Sequence, residues 1–248
     1  MKTKINIKKK LALIFFAIFL LFISTYIYTD KQTQYNVFLI PDNSATTYIN
    51  KFNNQLANDG LLEKYNVLPF SKNHPTHLSL YITSFNKKSI YKITDIVKNI
   101  SNDIKPFDIT TNYITVGKSG FVMLDVNDSE RLQYLSNTTV TKLSKYRDKD
   151  YPMPNWVKYY PEKEISFNKY GTPNAFEQFD PHFSILAKSL KNDKIKQTFV
   201  DDFNKAIRIF NPKPKKFKII GIGFGEVDNN GQITKTIKKY IFKNKQKE

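Results

Sequence analysis

The sequence predicts an α+β protein of two similar lobes, with mixed or antiparallel sheets, helices outside them and a membrane-spanning segment at the N-terminus. Three observations predict it. The 248 residues are 40% apolar and 15% aromatic, enough for a sizeable core and too hydrophobic for intrinsic disorder. Alternating and helical apolar periodicities interleave from residue 36 onward. A strand, helix, hairpin order then occurs twice, at an offset near 105 residues measured between His77 and His182. One repeat at so long a spacing points to paired lobes and not to a solenoid.

The N-terminus comes first. Residues 1–29 carry Lys2, Lys4, Lys8, Lys9 and Lys10 and no acid, and Leu11 to Ile23 is an unbroken apolar run. This is the pattern of an export signal peptide or an uncleaved signal anchor, with residues 11–28 just long enough to span a bilayer. No small-residue cleavage site stands out, and there is no cysteine for a lipid anchor. The lysines should stay cytoplasmic, placing the rest of the chain on the extracytoplasmic side, as an exported soluble form if the signal is cleaved. Residues 30–35 read as a polar tether, and 36–248 as the folded domain.

Within that domain, Asn36 to Ile40 (NVFLI) reads as a buried strand closed by Pro41. Tyr48, Ile49, Phe52 and Leu56 recur at helical spacing across 45–57, and Asn58-Asp59-Gly60 ends that helix. A coil through Pro69 and Pro75 leads to an alternating strand, Thr76 to Ser84. Next come a helix near 89–100, with Ile93, Val97 and Ile100 on one face, and two strands, 107–116 and 120–126. The same order returns after His182, as a helix near 194–210 and then strands 217–225 and 232–242 around Asp228-Asn229-Asn230-Gly231.

Composition narrows the chemistry. The absence of cysteine excludes disulfides, thiolate metal sites, iron–sulfur clusters and thiol nucleophiles. Only three histidines are present, and two of them open matching motifs: His77-Leu78-Ser79-Leu80 and His182-Phe183-Ser184-Ile185. On a strand, the His and the Ser two residues later face the same way, while the apolar partners face the core. One copy would be weak evidence; two copies at the heads of two similar segments are a signal.

Two imidazoles of ordinary pKa near 6.5 can hold opposite protonation states around neutrality, so one can take a proton while the other gives one. The two hydroxyls can donate to phosphate oxygens where charge accumulates. The set suits phosphoester cleavage without a metal. Residue types alone do not say which histidine is the base.

At these motifs the chain resembles the 2H phosphoesterases, which include the 2′-5′ RNA ligase-like and cyclic phosphodiesterase enzymes. Phe179-Asp180-Pro181-His182 and Gly221-Ile222-Gly223-Phe224-Gly225-Glu226 also look like that family, over roughly residues 35 to 242. The resemblance implies a bilobal, pseudo-two-fold fold with both motifs lining a central cleft. It implies catalysis by His77 and His182, phosphate binding by Ser79 and Ser184, and no metal or other cofactor. Substrates would be nucleotide or oligonucleotide phosphodiesters with a 2′,3′-cyclic phosphate or a 2′-5′ linkage. The membrane segment departs from the family, most of whose members are soluble.

The other reading of the same cleft is a non-catalytic nucleotide- or anion-binding module of the cell envelope. A net charge of +17, nearly all lysine, suits an anionic partner in either case. No obligatory protein partner is evident. His74 reads as a solvated loop histidine, and the alternating Gly221, Gly223 and Gly225 as a strand approached closely by another group. Residues 146–179, rich in Pro and aromatics, read as a long surface connection pinned to the core, with a nucleobase-stacking lid as the alternative. The lysine-rich 235–247 reads as a blunted strand edge.

Overall fold

The punctuation of the sequence marks where its elements start and stop. The computed structural model describes residues 33–243. Strand β1 (Gln34–Pro41) buries Tyr35 through Leu39 in succession, as a strand covered on both faces must. It begins two residues inside the expected tether, because Tyr35 stacks on Phe224 and belongs to the core. Asp42 caps helix α1 (Asn43–Asn58), its carboxylate accepting from the Ser44 N–H. Ala45, Ile49, Phe52 and Leu56 form the buried stripe of that helix.

A one-turn helix α2 (Leu61–Lys64) and an irregular stretch lead to β2 (Leu78–Ser84). Helix α3 (Ile90–Asn102) follows, then β3 (Phe107–Val116) and β4 (Phe121–Val126). Helix α4 (Glu130–Leu143) was not expected, although Ser129 caps it through a bond from the Leu132 N–H. Its buried face includes Ser136 and Thr139, which interrupt the apolar stripe that would have announced it. Beyond it, the supposed connection contains a further helix, α5 (Pro161–Tyr170), opened by proline at its first turn and closed by Gly171 at φ +74°. Then come β5 (His182–Ala187), α6 (Asp193–Phe210), β6 (Lys216–Val227) and β7 (Ile233–Ile241).

Every pairing among the described strands is antiparallel, so the mixed alternative falls away. Seven strands form one sheet: six follow the path β2-β1-β6-β3-β4-β5, and β7 lies off it, paired with β6. The join lies at β6. Its first residues, 216–219, pair with β3, while 221–227 pair with β7 on that same edge. Strand β3 likewise gives residues 107–110 to β6 and its later residues to β4.

The two repeats therefore exchange their hairpins. The hairpin β3–β4, which follows the first histidine in sequence, lies beside β5, which carries the second. The hairpin β6–β7, which follows the second, lies beside β1, whose other edge pairs with β2, the strand that begins just after the first. The helices agree: α3 packs on β6 and β7, and α6 packs on β3. A sequence offset registers repetition but not which edges pair. Here exchange brings β3 against β6 and joins both halves in one sheet. Strands β2 and β5 end up at opposite ends of that sheet, yet they touch one another. The sheet thus curls until its two histidine-bearing edges meet.

The expected signal or anchor, residues 1–29, lies outside the described residues. Among the described residues no helix is long and apolar enough to cross a membrane.

Candidate active site

The two motifs are built alike. Leu78 and Leu80 of the first, and Phe183 and Ile185 of the second, are buried in the core and fix their strands. In each strand the residue after the Ser is bulged out of register: Leu80 falls between the pairs Phe38–Ser79 and Val37–Tyr81, and Ile185 between Met123–Ser184 and Val122–Leu186. A bulge bends the strand and re-aims side chains, which recurs next to functional sites.

The histidines are anchored alike too. His77 Nδ1 lies 3.0 Å from the Pro75 carbonyl, and His182 Nδ1 lies 2.8 Å from the Asp180 carbonyl, each two residues back. A carbonyl only accepts, so each ring carries its hydrogen on Nδ1 in this contact, and Nε2 is the nitrogen the anchor leaves over.

Their surroundings differ. His77 sits just before β2, only 6% exposed, with Phe38 edge-on to its ring at 5.6 Å. Burial pushes its pKa down to about 4; the Pro75 and Gly231 carbonyls pull upward, while the nearby charges of His182 and His74 push further down. The two motif histidines are thus within electrostatic reach. His182 is half-buried, and its register partner on β4 is Asp125. Burial raises the Asp125 carboxyl; the Thr115 hydroxyl, donating at 3.0 Å, opposes this, as does His182, while Asp180 adds to it.

Ser79 and Ser184 are both half-buried. Asn36 Nδ2 donates to Ser79 Oγ at 2.7 Å. Sequence reasoning passed over Asn36, Phe38, Thr115 and Asp125. The usable signal was a polar residue inside an otherwise apolar strand, as Asn36 is in NVFLI and Asp125 in FVMLDV.

Three secondary expectations are corrected or sharpened. His74 is not a free loop residue: its Nδ1 lies 3.0 Å from the Ile233 carbonyl and its ring is edge-on to Phe70, tying the approach to β2 onto β7. Gly223 faces Phe38 directly, and that ring occupies the place of the missing side chain. In the 146–179 stretch, Val157 is buried and Phe167 nearly so, whereas Trp156, Tyr159 and Tyr160 point outward. Lys163 on α5 donates to Asn174 at 2.8 Å and is near enough to Asp180 to feel its charge, which puts α5 on the His182 side.

A family model described as the 2′-5′ RNA ligase superfamily matches residues 41–209, a span that includes both motifs. No curated protein matches the sequence. The fold is similar to the crystal structure of TT0787 of Thermus thermophilus, at 8% identity and a TM-score of 0.53, covering 86% of this chain and 100% of that one. It is also similar to E. coli LigT crystallised with 3′-AMP, at 11% identity and a TM-score of 0.50, covering 86% and 99% of the two chains.

Proposed function

The chain belongs to the 2′-5′ RNA ligase superfamily of 2H phosphoesterases, and on that premise we propose that it is a metal-independent phosphodiesterase. Its substrates are nucleotide or oligonucleotide phosphodiesters, with a 2′,3′-cyclic phosphate or a 2′-5′ linkage. The observation that carries this reading is the duplicate construction of the two motifs, with the same Nδ1 anchor and the same bulge on edges that meet.

In hydrolysis, water attacks phosphorus and gives its proton to one Nε2, while the departing ribose oxygen takes a proton from the other. His77, buried and neutral at physiological pH, fits the acceptor; the donor role then falls to His182. In the reverse direction the roles exchange. Ser79 and Ser184 donate to the non-bridging oxygens, and the lysine excess draws the anionic substrate in a salt-dependent way. From the basic and apolar pattern of residues 1–29 we further propose that the domain is held at a membrane on its extracytoplasmic side. Protease accessibility in cells stripped of wall and outer membrane tests that placement; a protected domain would refute it.

The test of function is turnover across a panel of 2′,3′-cyclic phosphates and 2′-5′ linked oligonucleotides, with chelator present. Wild type should turn over, and His77→Ala or His182→Ala should each lower kcat by about 10²–10⁴. Full activity in a folded double variant would overturn the proposal. Binding with no turnover would favour the non-catalytic module.

A further inference from the structure

Asn36 is fully buried on β1 among Tyr35, Val37, Phe38 and Leu39. Its Nδ2 donates to Ser79 Oγ at 2.7 Å, while its Oδ1 is buried without a hydrogen-bond partner. Across the ladder on β6 it faces Gly225, which offers no side chain. A buried acceptor left unmet is costly, and an apolar residue of similar shape would avoid that cost. Such a residue would give Ser79 no donor. A hydroxyl has one proton and two acceptor lone pairs. With the Asn36 N–H on an acceptor lone pair, the Ser79 proton is directed elsewhere, toward whatever acceptor enters the cleft. The second motif lacks this device: the β4 position that matches Asn36, two residues before the register partner of Ser184, is Phe121, which has no donor to give.

We infer that Asn36 is a positioning residue that sets the Ser79 hydroxyl as a hydrogen-bond donor to a bound phosphate group. The inference rests on the phosphodiester reading of the same cleft for the identity of that phosphate. It also explains why an unsatisfied amide occupies the middle of an otherwise apolar strand.

The experiment is a double-mutant cycle of Asn36→Leu with Ser79→Ala, read by melting temperature, by turnover on the substrate panel and by calorimetric binding of inorganic phosphate and of adenosine 3′-monophosphate. Asn36→Leu should melt no lower than wild type, yet lose about tenfold in binding and turnover, the effect expected of a displaced donor. In the Ser79→Ala background it should change nothing further. An equal loss in that background, or no loss in the single variant, overturns the inference. Should Asn36→Leu fail to fold, Asn36→Asp keeps the shape and draws the Ser79 proton to itself, with the same dependence on Ser79 expected. The wild-type complex with inorganic phosphate gives a reading without any variant: Ser79 Oγ should keep Asn36 and reach a phosphate oxygen, and a hydroxyl turned away overturns the role. Binding without turnover in wild type removes the phosphodiesterase reading but leaves this role standing. A wild type that binds neither probe overturns both.

Discussion

Phe38 stands edge-on to His77, ring centroids 5.6 Å apart and planes at 70°. Phe38 is held in turn by the missing side chain of Gly223, directly opposite on β6. A methyl group at Gly223 would overlap the Phe38 ring, which is itself buried, so the ring or the strand must shift. Gly223→Ala should therefore cost about 1–3 kcal/mol of stability and disturb His77, lowering turnover as well as the melting temperature. Thermal denaturation and kcat measured together check both effects.

His77 also ties stability to pH. An unfolded imidazole takes up its proton near 6.5, whereas folded His77 resists until about 4. Between those values the unfolded chain binds the extra proton, so this contribution is complete above pH 6.5 and is lost as pH falls toward 4. The full effect is at most about 3 kcal/mol. Melting temperatures from pH 7 down to 4.5 should drop, and His77→Gln should flatten the slope in that window.

The same depression sets the acid side of the activity profile. The acid limb of kcat/KM reports the base of the free enzyme, so it should lie well below 6.5, near 4. An acid limb at 6.5 would take the acceptor role away from His77.

The two hydroxyls make a paired prediction. Ser79→Ala and Ser184→Ala should each lower kcat/KM by about 10–100-fold. The half-buried Ser184 should go with the melting temperature unchanged, whereas Ser79→Ala should also melt lower, because it leaves the buried Asn36 amide N–H without its acceptor. Steady-state kinetics beside calorimetry decides this, and a loss at Ser184 that tracks destabilisation would contradict it.

Much of this was legible in the chain, for reasons that can be named. The motifs stood out because histidine is rare here, and His77 and His182 repeat one pattern. Strands and helices with clean periodicity, such as β1 and α1, were found within a few residues of their ends. Helix α4 was missed because Ser136 and Thr139 sit in its buried face, and α5 because its buried residues are few. The hairpin exchange was invisible because periodicity describes one strand at a time and is silent about its neighbour. Asn36 and Asp125 went unnoticed for the same reason: each acquires its meaning from a cross-strand partner, Ser79 or His182.

The most direct test of the central claim, that two matched motifs serve one phosphate, is a crystal structure of the protein with a nucleoside monophosphate bound. The phosphate should lie between the motifs, with oxygens within about 3 Å of Nε2 of both His77 and His182 and of the hydroxyls of Ser79 and Ser184. A phosphate bound elsewhere, or imidazoles too far apart to reach the same phosphate, would contradict it.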